Sequence, residues 1–501
     1  DIRRQRQMCI RDSIDTLRAD HLGCMGYHRA TTPNIDALAA DGITFRSVYA
    51  SDVPCLPSRT ALITGMFGIR NGVVNHGGEA ADLRSEGAGR EFISSMAARS
   101  WAATFFFAGW HTASISSFPL RHSASWWNHG FMEAMNLMRG FGGERADQVV
   151  PGALDWLDRR GTADDWFLHV HLWDPHTPYN TPDDYGNPFE SDSLPAWHTE
   201  AVRSRNWDLA GPHSAQEPWG FRPDEWGDPP ARQPWNADSM EAVKRIFDGY
   251  DVGIRYADDA VGAIVDRLDQ LGVLDDTAIL VSSDHGEAFG ELGVYADHQA
   301  ADEATCHIPA ILKWPGVEPT VDDGLHYHLD VAATVVDLAG ITPPEQQWDG
   351  RSVKADLLAG APTGRDHLVL SQGAWSCQRG VRWGDHLSLH TFHDGYHPHW
   401  APEMLFDIAA DPHEQHDLAR EHPDDLATGR SLLEDWTAEQ LDRSLAPVDP
   451  MQIVLDEGGP YHTRRHLPSY LDRLRRTGRS AWADALVERH PDEADPGFWV
   501  T

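Results

Sequence analysis

The chain has 501 residues, which is too long for one simple core, so we expect two domains. Apolar residues make up 41% and charged residues 24%, as in an ordinary globular protein, and no run of about 18 apolar residues could span a membrane. The formal net charge of −36 argues against nucleic acid as a partner, since a polyanion would be repelled, and suits a soluble protein.

The five cysteines are odd in number and scattered, which does not suit a disulfide framework and favours a reducing compartment. We therefore expect a cytoplasmic location. A periplasmic or secreted one stays open, because the first residues are basic and polar, lack the layout of a signal peptide and look incomplete. A strand is needed just before Asp15, yet only Ile14 looks like part of one. We expect residues 1–13 to be a non-native or truncated leader in place of the first strand.

From residue 14 the chain reads as alternating helices and strands. A first helix is predicted over TTPNIDALAADG, with Thr32 as N-cap, Pro33 at its first position and Gly42 as terminator. A second is predicted over REFISSMAARSWAATFFFAGW and closes at Gly109. A third, long and amphipathic, is predicted over residues 238–271, where apolar side chains recur at helical spacing.

Two short apolar runs, WFLHVHLW and TAILVSSDHG, are typical of buried parallel strands. Helices between such strands predict an α/β fold with an open sheet covered on both faces. Ligands of such sheets lie beyond the carboxyl ends of the strands. We therefore expect the functional side chains directly after each run.

The rest of the chain is predicted to hold an insertion, a small domain and a tail. Residues 183–238 are rich in Pro and Gly and too long for a plain connection, so we expect an insertion near the site entrance. Its tryptophans could stack on a sugar or aryl ring, or could bind the insertion to the domain. They are Trp197, Trp207, Trp219, Trp226 and Trp235. We expect a catalytic domain over 14–360, a small antiparallel-sheet domain over 361–445 and a mostly helical tail over 446–501.

The rule of strand ends brings several side chains to one edge of the sheet. The first strand delivers Asp15, the run before SSDHG delivers Asp284 and His285, and the run before DPHTPY delivers His176. Asp15, Asp284 and His285 could together hold one divalent cation through oxygen and nitrogen atoms. Taken singly, an Asp after a strand could equally be a helix cap.

Four motifs in order resemble the type I sulfatases, which belong to the alkaline-phosphatase-like superfamily. The signature C-x-P-S-R…T-G is matched by CLPSRTALITG, and the two metal motifs by DTLRADHLGCMGYHRATTPNIDALAADGITF and SSDHGEAFGELGVYADH. The family's carboxy-terminal domain is matched by LFDIAADPHEQHDLA. The resemblance covers residues 14–440. It implies a large mixed, mostly parallel sheet sandwiched by helices, with a smaller C-terminal α+β domain that carries an antiparallel sheet.

The resemblance implies a modified nucleophile. Cys55 would be oxidised after translation to formylglycine, with Pro57 and Arg59 in the signal that the formylglycine-generating enzyme reads. One hydroxyl of the hydrated aldehyde would attack sulfur, and the other would then expel sulfate. Arg59 would pair with the formylglycine and its surroundings.

The same resemblance makes Asp15, Asp284 and His285 the protein ligands of one divalent metal, with modified Cys55 adding an oxygen. Many sulfatases have a second Asp where this chain has Thr16, and Asn where it has His285. We expect Ca²⁺, with Mn²⁺ or Mg²⁺ as alternatives, because one fewer carboxylate and one imidazole make the set less committed to Ca²⁺. Phosphonate monoester hydrolases look similar in both respects.

Two histidines are candidates for proton transfer. His176 resembles the family's histidine near the leaving-group oxygen, a candidate general acid. The position of a catalytic Lys holds Asp297, which puts substrate contacts in doubt, and His298 is the candidate substitute.

A second departure lies after AGWHTA. Ser117 and Pro119 stand where the family has Lys and His. The nearby Arg121 and His122 could supply a substrate-binding charge and a catalytic base, or could be a surface pair. His76, in a Gly-rich loop, is a further candidate for substrate binding.

We therefore expect an enzyme that hydrolyses a small-molecule or glycan sulfate ester, aryl or carbohydrate. A phosphonate monoester or phosphodiester hydrolase on the same fold is one alternative. A catalytically silent, sulfatase-like binding protein is another, which the altered positions 117, 119 and 297 favour. Against it, the modification motif and all three metal positions are kept together.

Overall fold

The computed structural model describes most of the chain. Described are residues 8–89, 92, 94–137, 142–221, 227–344, 347–495 and 497, and for residues 8–13 and Gly89 only the backbone. Residues 1–7 of the expected leader and Trp226 of the expected insertion lie outside the described residues.

Helices and strands alternate through the first two thirds of the chain, and a second group of strands and a helical tail follow. The strands are β1 (Met8–Ile14), β2 (Ile43–Tyr49), β3 (Asp52–Val53), β4 (His111–Ile115), β5 (Glu133–Met135), β6 (Trp166–Leu172), β7 (Thr277–Ser282), β8 (Ala288–Phe289), β9 (Tyr295–Asp297), β10 (His307–Lys313), β11 (Thr320–Tyr327), β12 (His367–Gln372), β13 (Cys377–Trp383), β14 (His386–His393) and β15 (Glu403–Asp407). The α-helices are α1 (Pro33–Ala40), α2 (Cys55–Thr64), α3 (Gly68–Asn71), α4 (Ser95–Ala98), α5 (Trp101–Phe107), α6 (Phe118–Arg121), α7 (Ala146–Arg160), α8 (Glu200–Trp207), α9 (Met240–Gln270), α10 (Glu303–Cys306), α11 (His328–Leu338), α12 (Lys354–Ala359), α13 (Pro423–Asp442), α14 (Pro450–Asp456), α15 (Leu467–Arg476), α16 (Ser480–Arg489) and α17 (Pro491–Ala494).

The large sheet has the strand order β11-β2-β10-β7-β1-β6-β4-β5. Among its described strands, β10 alone runs antiparallel to its neighbours β2 and β7, so the predicted mixed, mostly parallel sheet is confirmed. Because β2 and β7 both oppose β10, they run in the same direction. The carboxyl ends of β1, β2, β4, β6 and β7 therefore meet at one edge, where an open sheet binds its ligands.

The first strand corrects one expectation. Only Ile14 was assigned to a strand before Asp15, and this was wrong, since Met8–Ile14 form β1 in the middle of the sheet. It pairs in parallel with β6 on one side and β7 on the other. Such pairing uses backbone N–H and C=O groups, which every non-proline residue supplies, so a segment without an apolar pattern can hold this place. A non-native origin of residues 1–13 stays a prediction.

The long helix α9 covers Met240–Gln270, as predicted, with the Ser239 hydroxyl accepting the Ala242 N–H. Its Asp258 carboxylate accepts the backbone N–H groups of Asn34 and Ile35 at 3.0 and 2.9 Å and so caps α1. None of the helices in the described ranges has the length and apolar character that crossing a membrane requires.

The second predicted helix is wrong in one respect. It is broken into α4 and α5, which are separated by Arg99 and Ser100. The Ser100 hydroxyl accepts the Ala103 N–H at 3.1 Å and starts a new helix. Serine competes for backbone hydrogen bonds in this way, which makes it a helix start rather than an interior residue.

The small sheet has the order β15-β14-β13-β12-β3. Strands β12 to β15 form the predicted antiparallel sheet, and α13 packs on it. Its last strand was not predicted: β3 comes from the catalytic domain and pairs in parallel with β12, with Asp52 opposite Ser371 and Val53 opposite Gln372. The two sheets are thus joined just before Cys55.

Candidate active site

The nucleophile candidate lies at the shared edge of the large sheet. The chain leaves β2, forms β3 and enters α2 at Cys55, and every residue of α2 is buried. The Ser58 hydroxyl donates to the Asp284 carbonyl at 2.6 Å, which ties α2 to the turn after β7. Three successive elements therefore fix the position of Cys55.

Four predicted side chains meet here. One ligand atom from each of Asp15, Cys55, Asp284 and His285 lies within 4.8 Å of the others. Cys55 Sγ is 3.2 Å from His285 Nε2. All four residues are buried, so the sequence-derived metal set is brought together in the structure.

The donor atoms fit a divalent cation. Asp15 Oδ1 is buried and has no hydrogen-bond partner. His285 Nδ1 donates to the Gly286 carbonyl at 2.9 Å, which leaves the lone pair of Nε2 facing the cluster. Two carboxylates and one neutral imidazole are suitable ligands for Ca²⁺, Mn²⁺ or Mg²⁺.

Arg59 binds both carboxylates. Its Nη2 donates to Asp15 Oδ2 at 2.8 Å, and its Nε donates to Asp284 Oδ2 at 2.9 Å. Burial alone would raise the pKa of Asp15, but the Arg59 guanidinium and a hydrogen bond from His171 hold it well below its usual range. Asp15 is therefore ionised in the folded protein.

His171 is a site residue that the sequence analysis missed. Its Nε2 lies 2.9 Å from Arg59 Nη2 and 3.0 Å from Asp15 Oδ2. Burial and the Arg59 charge lower the pKa of His171. The available signal was a histidine inside an otherwise apolar run, because a buried polar side chain needs a partner.

A cavity of 580 Å³ opens above Cys55. Every proton-transfer and substrate-binding residue predicted from the sequence lines it, which brings His122 and Asp297 into the site. The lining residues are Cys55, His76, Arg121, His122, Ser123, His176, Thr177, Pro178, His213, Trp219, Asp297, His298, Trp375, Tyr461 and His462.

His176 faces Cys55 with one ring nitrogen. Nδ1 donates to the Thr177 carbonyl, and Nε2 lies 3.9 Å from Cys55 Sγ. The ring stacks on Trp173 with 3.9 Å between centroids. Burial lowers the pKa of His176 well below its usual value, so the ring is neutral and Nε2 is an acceptor directed at residue 55.

Arg121, the last residue of α6, and His122, which follows it, line the cavity in place of the family's usual element. The Arg121 guanidinium lies 4.2 Å from the centroid of Trp173. Burial and the neighbouring Arg121 charge lower the pKa of His122 to about 3, so this ring is neutral. Arg121 thus supplies a permanent positive charge, while His122 can act as a base.

His76 supports the start of α2. Its Nε2 accepts the Leu56 N–H at 3.4 Å, and Nδ1 lies 2.8 Å from His462 Nε2. Burial, His122 and His462 lower the pKa of His76 well below its usual value. His462 of the tail therefore contacts His76, which is itself hydrogen-bonded to the first turn of α2.

Three segments outside the large sheet form the outer wall of the cavity. His213 and Trp219 come from the insertion, Trp375 from the β12–β13 connection, and Tyr461 and His462 from the tail. The sequence analysis missed all of these except Trp219. Among the other tryptophans of the insertion, Trp197 stacks on His413 and Trp235 is 48% exposed.

The family model for sulfatases matches residues 13–341. The chain belongs to the sulfatase family. The members of this family are sulfuric ester hydrolases, and their fold is alkaline-phosphatase-like, as the sequence resemblance implied.

The curated relatives are distant and are named for different sulfate esters. The choline-sulfatase of Rhizobium meliloti is 26% identical and the alignment covers 87% of this chain and 88% of that protein. The arylsulfatase of Hemicentrotus pulcherrimus is 24% identical, with 86% and 82% covered.

Solved structures show the same fold. A protein in complex with its substrate D-glucosamine-2-N,6-O-disulfate has a TM-score of 0.66 at 18% identity, with 87% of this chain and 98% of that one covered. The phosphonate monoester hydrolase of Agrobacterium radiobacter has a TM-score of 0.64 at 19% identity, with 86% and 96% covered.

Proposed function

We propose that this chain hydrolyses a sulfate ester of a carbohydrate or aryl alcohol. The observation that carries the proposal is the buried cluster of Cys55, Asp15, Asp284 and His285, whose ligand atoms lie within 4.8 Å of one another at the floor of the cavity. Relatives named for different sulfate esters support the reaction and leave the alcohol open. The aromatic outer wall favours an alcohol with a ring, because Trp and Tyr stack on flat faces.

The nucleophile is formylglycine made from Cys55 by a formylglycine-generating enzyme. Burial raises the pKa of the Cys55 thiol well above its usual value, and the Asp15 and Asp284 charges raise it further, so the unmodified side chain is a protonated thiol and a poor nucleophile. The hydrated aldehyde supplies one hydroxyl for attack on sulfur and a second for expulsion of sulfate.

Asp15, Asp284 and His285 would hold one divalent cation, for which we propose Ca²⁺, with Mn²⁺ or Mg²⁺ as alternatives. A cation bound there would supply positive charge to the sulfuryl oxygens and would lower the pKa of the attacking hydroxyl. The chain itself supplies two further positive groups for an anionic substrate. The N-terminus of α2, at residue 55, offers backbone N–H groups, and Arg121 contributes a guanidinium in the cavity.

Two histidines divide the proton transfers. The sequence resemblance offered His176 as the general acid, but its acceptor Nε2 faces residue 55, so we assign to it the proton of the nucleophile instead. His298 lines the cavity, and one of its ring nitrogens lies within 4.8 Å of both Cys55 Sγ and a ring nitrogen of His176. We assign to it the proton that the leaving-group oxygen needs.

Phosphonate monoester hydrolysis is the second candidate. It is favoured by His285 and by Thr16, which stand where many sulfatases have Asn and Asp. Thr16 Oγ1 is buried without a hydrogen-bond partner, and Thr16 N lies 3.3 Å from Asp284 Oδ1, so this residue borders the metal cluster.

The test begins with co-expression with the modifying enzyme. Mass spectrometry of the peptide that spans Cys55 should show the aldehyde, and the protein with Ca²⁺ or Mn²⁺ should hydrolyse 4-nitrophenyl sulfate faster than the phosphate or a phenylphosphonate monoester. Cys55→Ser is the control, since it should show no turnover. Preference for the phosphonate would establish the second candidate. An unmodified thiol with no turnover would favour the alternative of a catalytically silent binding protein.

A further inference from the structure

Glu217 is a carboxylate of the insertion that is fully buried against the helical tail. Its Oε1 accepts the Arg473 Nε–H at 2.5 Å and a hydrogen bond from Arg479 Nη2. Its Oε2 accepts the Arg479 Nη1–H at 3.2 Å and the Ser214 hydroxyl at 2.9 Å. Burial alone would raise the pKa of Glu217, but the two guanidinium groups hold it below its usual range. One carboxylate of the insertion is therefore bonded to an arginine of α15 and to the arginine that precedes α16.

The backbone around Glu217 is folded into consecutive turns. The Glu217 N–H donates to the Ser214 carbonyl at 2.7 Å, and the Glu217 carbonyl accepts the Gly220 N–H at 2.7 Å. The Gly211 N–H donates to Tyr470 Oη of α15, also at 2.7 Å. Because these turns leave little freedom between Gly211 and Gly220, a shift of the Glu217 carboxylate moves the whole segment.

Apolar packing joins the same segment to the tail. Phe221 lies against Tyr470, with 5.4 Å between the ring centroids. Both rings belong to a buried cluster that also contains Trp375 of the cavity wall. The Asp208 carbonyl accepts the Trp482 Nε1–H of α16 at 2.7 Å. The insertion is therefore held on the tail by apolar as well as ionic contacts.

The same segment lines the cavity. Trp219 is part of the cavity wall, and its indole N–H donates to the Gly227 carbonyl at 2.8 Å. Because Trp219 lies two residues after Glu217 and within the turn that Gly220 closes, the ion pairs of Glu217 fix where the indole stands. An indole has a large apolar face, which can stack on the ring of a sugar or an aryl group.

We propose that Glu217, held by Arg473 and Arg479, is a positioning residue that places Trp219 against the ring of the substrate alcohol. This rests on the proposed sulfate ester hydrolysis. The tail then acts on substrate choice through the insertion, in addition to the cavity contacts of its own residues Tyr461 and His462. An ester whose alcohol has no ring gains nothing from this arrangement.

The kinetic test compares 4-nitrophenyl sulfate with methyl sulfate, which has no ring and is measured as a competitive inhibitor. Trp219→Ala should raise KM for the aryl ester about three- to tenfold, with kcat within about twofold, because one aromatic contact is lost from ground-state binding. Glu217→Gln and Arg473→Gln should raise the same KM by a similar factor. Combined with Trp219→Ala, neither should raise it further, since the indole that they position is absent. The inhibition constant of methyl sulfate should stay as in the unaltered protein.

The matched control is Asp349→Asn. Asp349 is another buried carboxylate between two arginines, Arg70 and Arg443, and it does not line the cavity. Its loss should lower stability and leave both constants unchanged. Arg473 is 25% exposed, so Arg473→Gln keeps the test usable if Glu217→Gln does not fold. Additive rises of KM in the double variants, an equal weakening of methyl sulfate, or the same effect in Asp349→Asn would overturn the proposal.

Measurements without turnover separate this proposal from the proposed function. Backbone hydrogen exchange of residues 211–221, followed by mass spectrometry, should be at least about tenfold faster in Glu217→Gln and Arg473→Gln than in the unaltered protein. In calorimetric titration, Cys55→Ser should bind 4-nitrophenyl sulfate, and adding Glu217→Gln should weaken this binding about three- to tenfold. Exchange or affinity that Glu217→Gln leaves unchanged overturns the positioning role, whether or not the protein cleaves the ester. Failure of the modified, unaltered protein to hydrolyse any ester contradicts only the proposed function.

Discussion

The floor and the outer wall of the cavity are built in different ways. By the floor we mean Cys55, which lines the cavity, together with the buried residues Asp15, Arg59, Asp284 and His285 around it at the carboxyl edge of one sheet. The wall is assembled from the insertion, the small domain and the tail. The proposed chemistry thus lies on rigid elements, whereas the wall is made of loops and termini, where variation between relatives is tolerated.

The largest expected effect is on the floor. Arg59→Met should lower kcat at least about 10³-fold and destabilise the protein by about 3–5 kcal/mol. The reason is that the Asp15 and Asp284 carboxylates would stay buried without the Arg59 guanidinium that pairs with both. Initial rates and urea unfolding measure the two effects.

Arg29→Met is the matched control for this loss. Arg29 is equally buried and pairs with Asp248 and Asp251 at 3.0 and 2.8 Å, away from the cavity. It should cost comparable stability with kcat unchanged for the folded fraction. If the kcat of Arg59→Met stayed within tenfold of that of the unaltered protein, the floor would not be the catalytic part of the cavity.

The next effect concerns the support of the floor. His171→Gln should weaken Ca²⁺ binding about 10- to 100-fold, because His171 orients Asp15 from behind. Calorimetric titration of the chelator-treated protein measures it. His169→Gln, on the same strand but bonded to Ser114, should leave the affinity as it was. Equal affinities in both variants would show that Asp15 needs no such support.

A smaller effect is expected at the wall. Tyr461→Ala should raise KM about three- to tenfold with little change in kcat, because loss of one aromatic face costs about 0.5–1.5 kcal/mol of ground-state binding. Steady-state kinetics with an aryl sulfate measure it, with Tyr185→Ala, outside the cavity, as control. A fall in kcat at constant KM would place the tail in the chemistry and remove the contrast with the floor.

The smallest expected effect is on the stability that ion pairs of the helical tail contribute. The carboxylates of Asp394 and Glu493 raise the pKa of His490 to about 9, although burial opposes this, and His393 and Arg489 lie beside the same carboxylates. Because the folded-state pKa is raised, this stability is fully present below about pH 6.5 and is lost as the pH rises through 9.

The expected loss on going from pH 6 to 9.5 is at most about 3 kcal/mol in the free energy of unfolding, measured by urea titration. His490→Gln should remove this pH dependence, whereas His386→Gln, a half-exposed histidine of β14, should keep it. A slope that persists in His490→Gln would assign it to another group.

The sequence predicted the floor better than the wall for a physical reason. Residues that follow buried strands share an edge, so Asp15, Asp284 and His285 could be placed together from local patterns alone. Pairing across the fold leaves no local pattern, and nothing near Tyr461 or Trp375 indicates that they meet above residue 55. The strand β1 was missed because it is held by backbone pairing and its sequence has no apolar pattern. The break between α4 and α5 was missed because Ser100 was taken for a residue of the helix interior.

The short strand β3 has a consequence for biosynthesis. In the finished molecule Cys55 and its helix are enclosed, and Asp52 and Val53 are paired with β12, which is translated far later. Under the proposed function, an oxidising enzyme would therefore reach the thiol before the chain has folded and β3 has paired with β12. We expect the aldehyde to be obtained by co-expression and not by treating purified, folded protein.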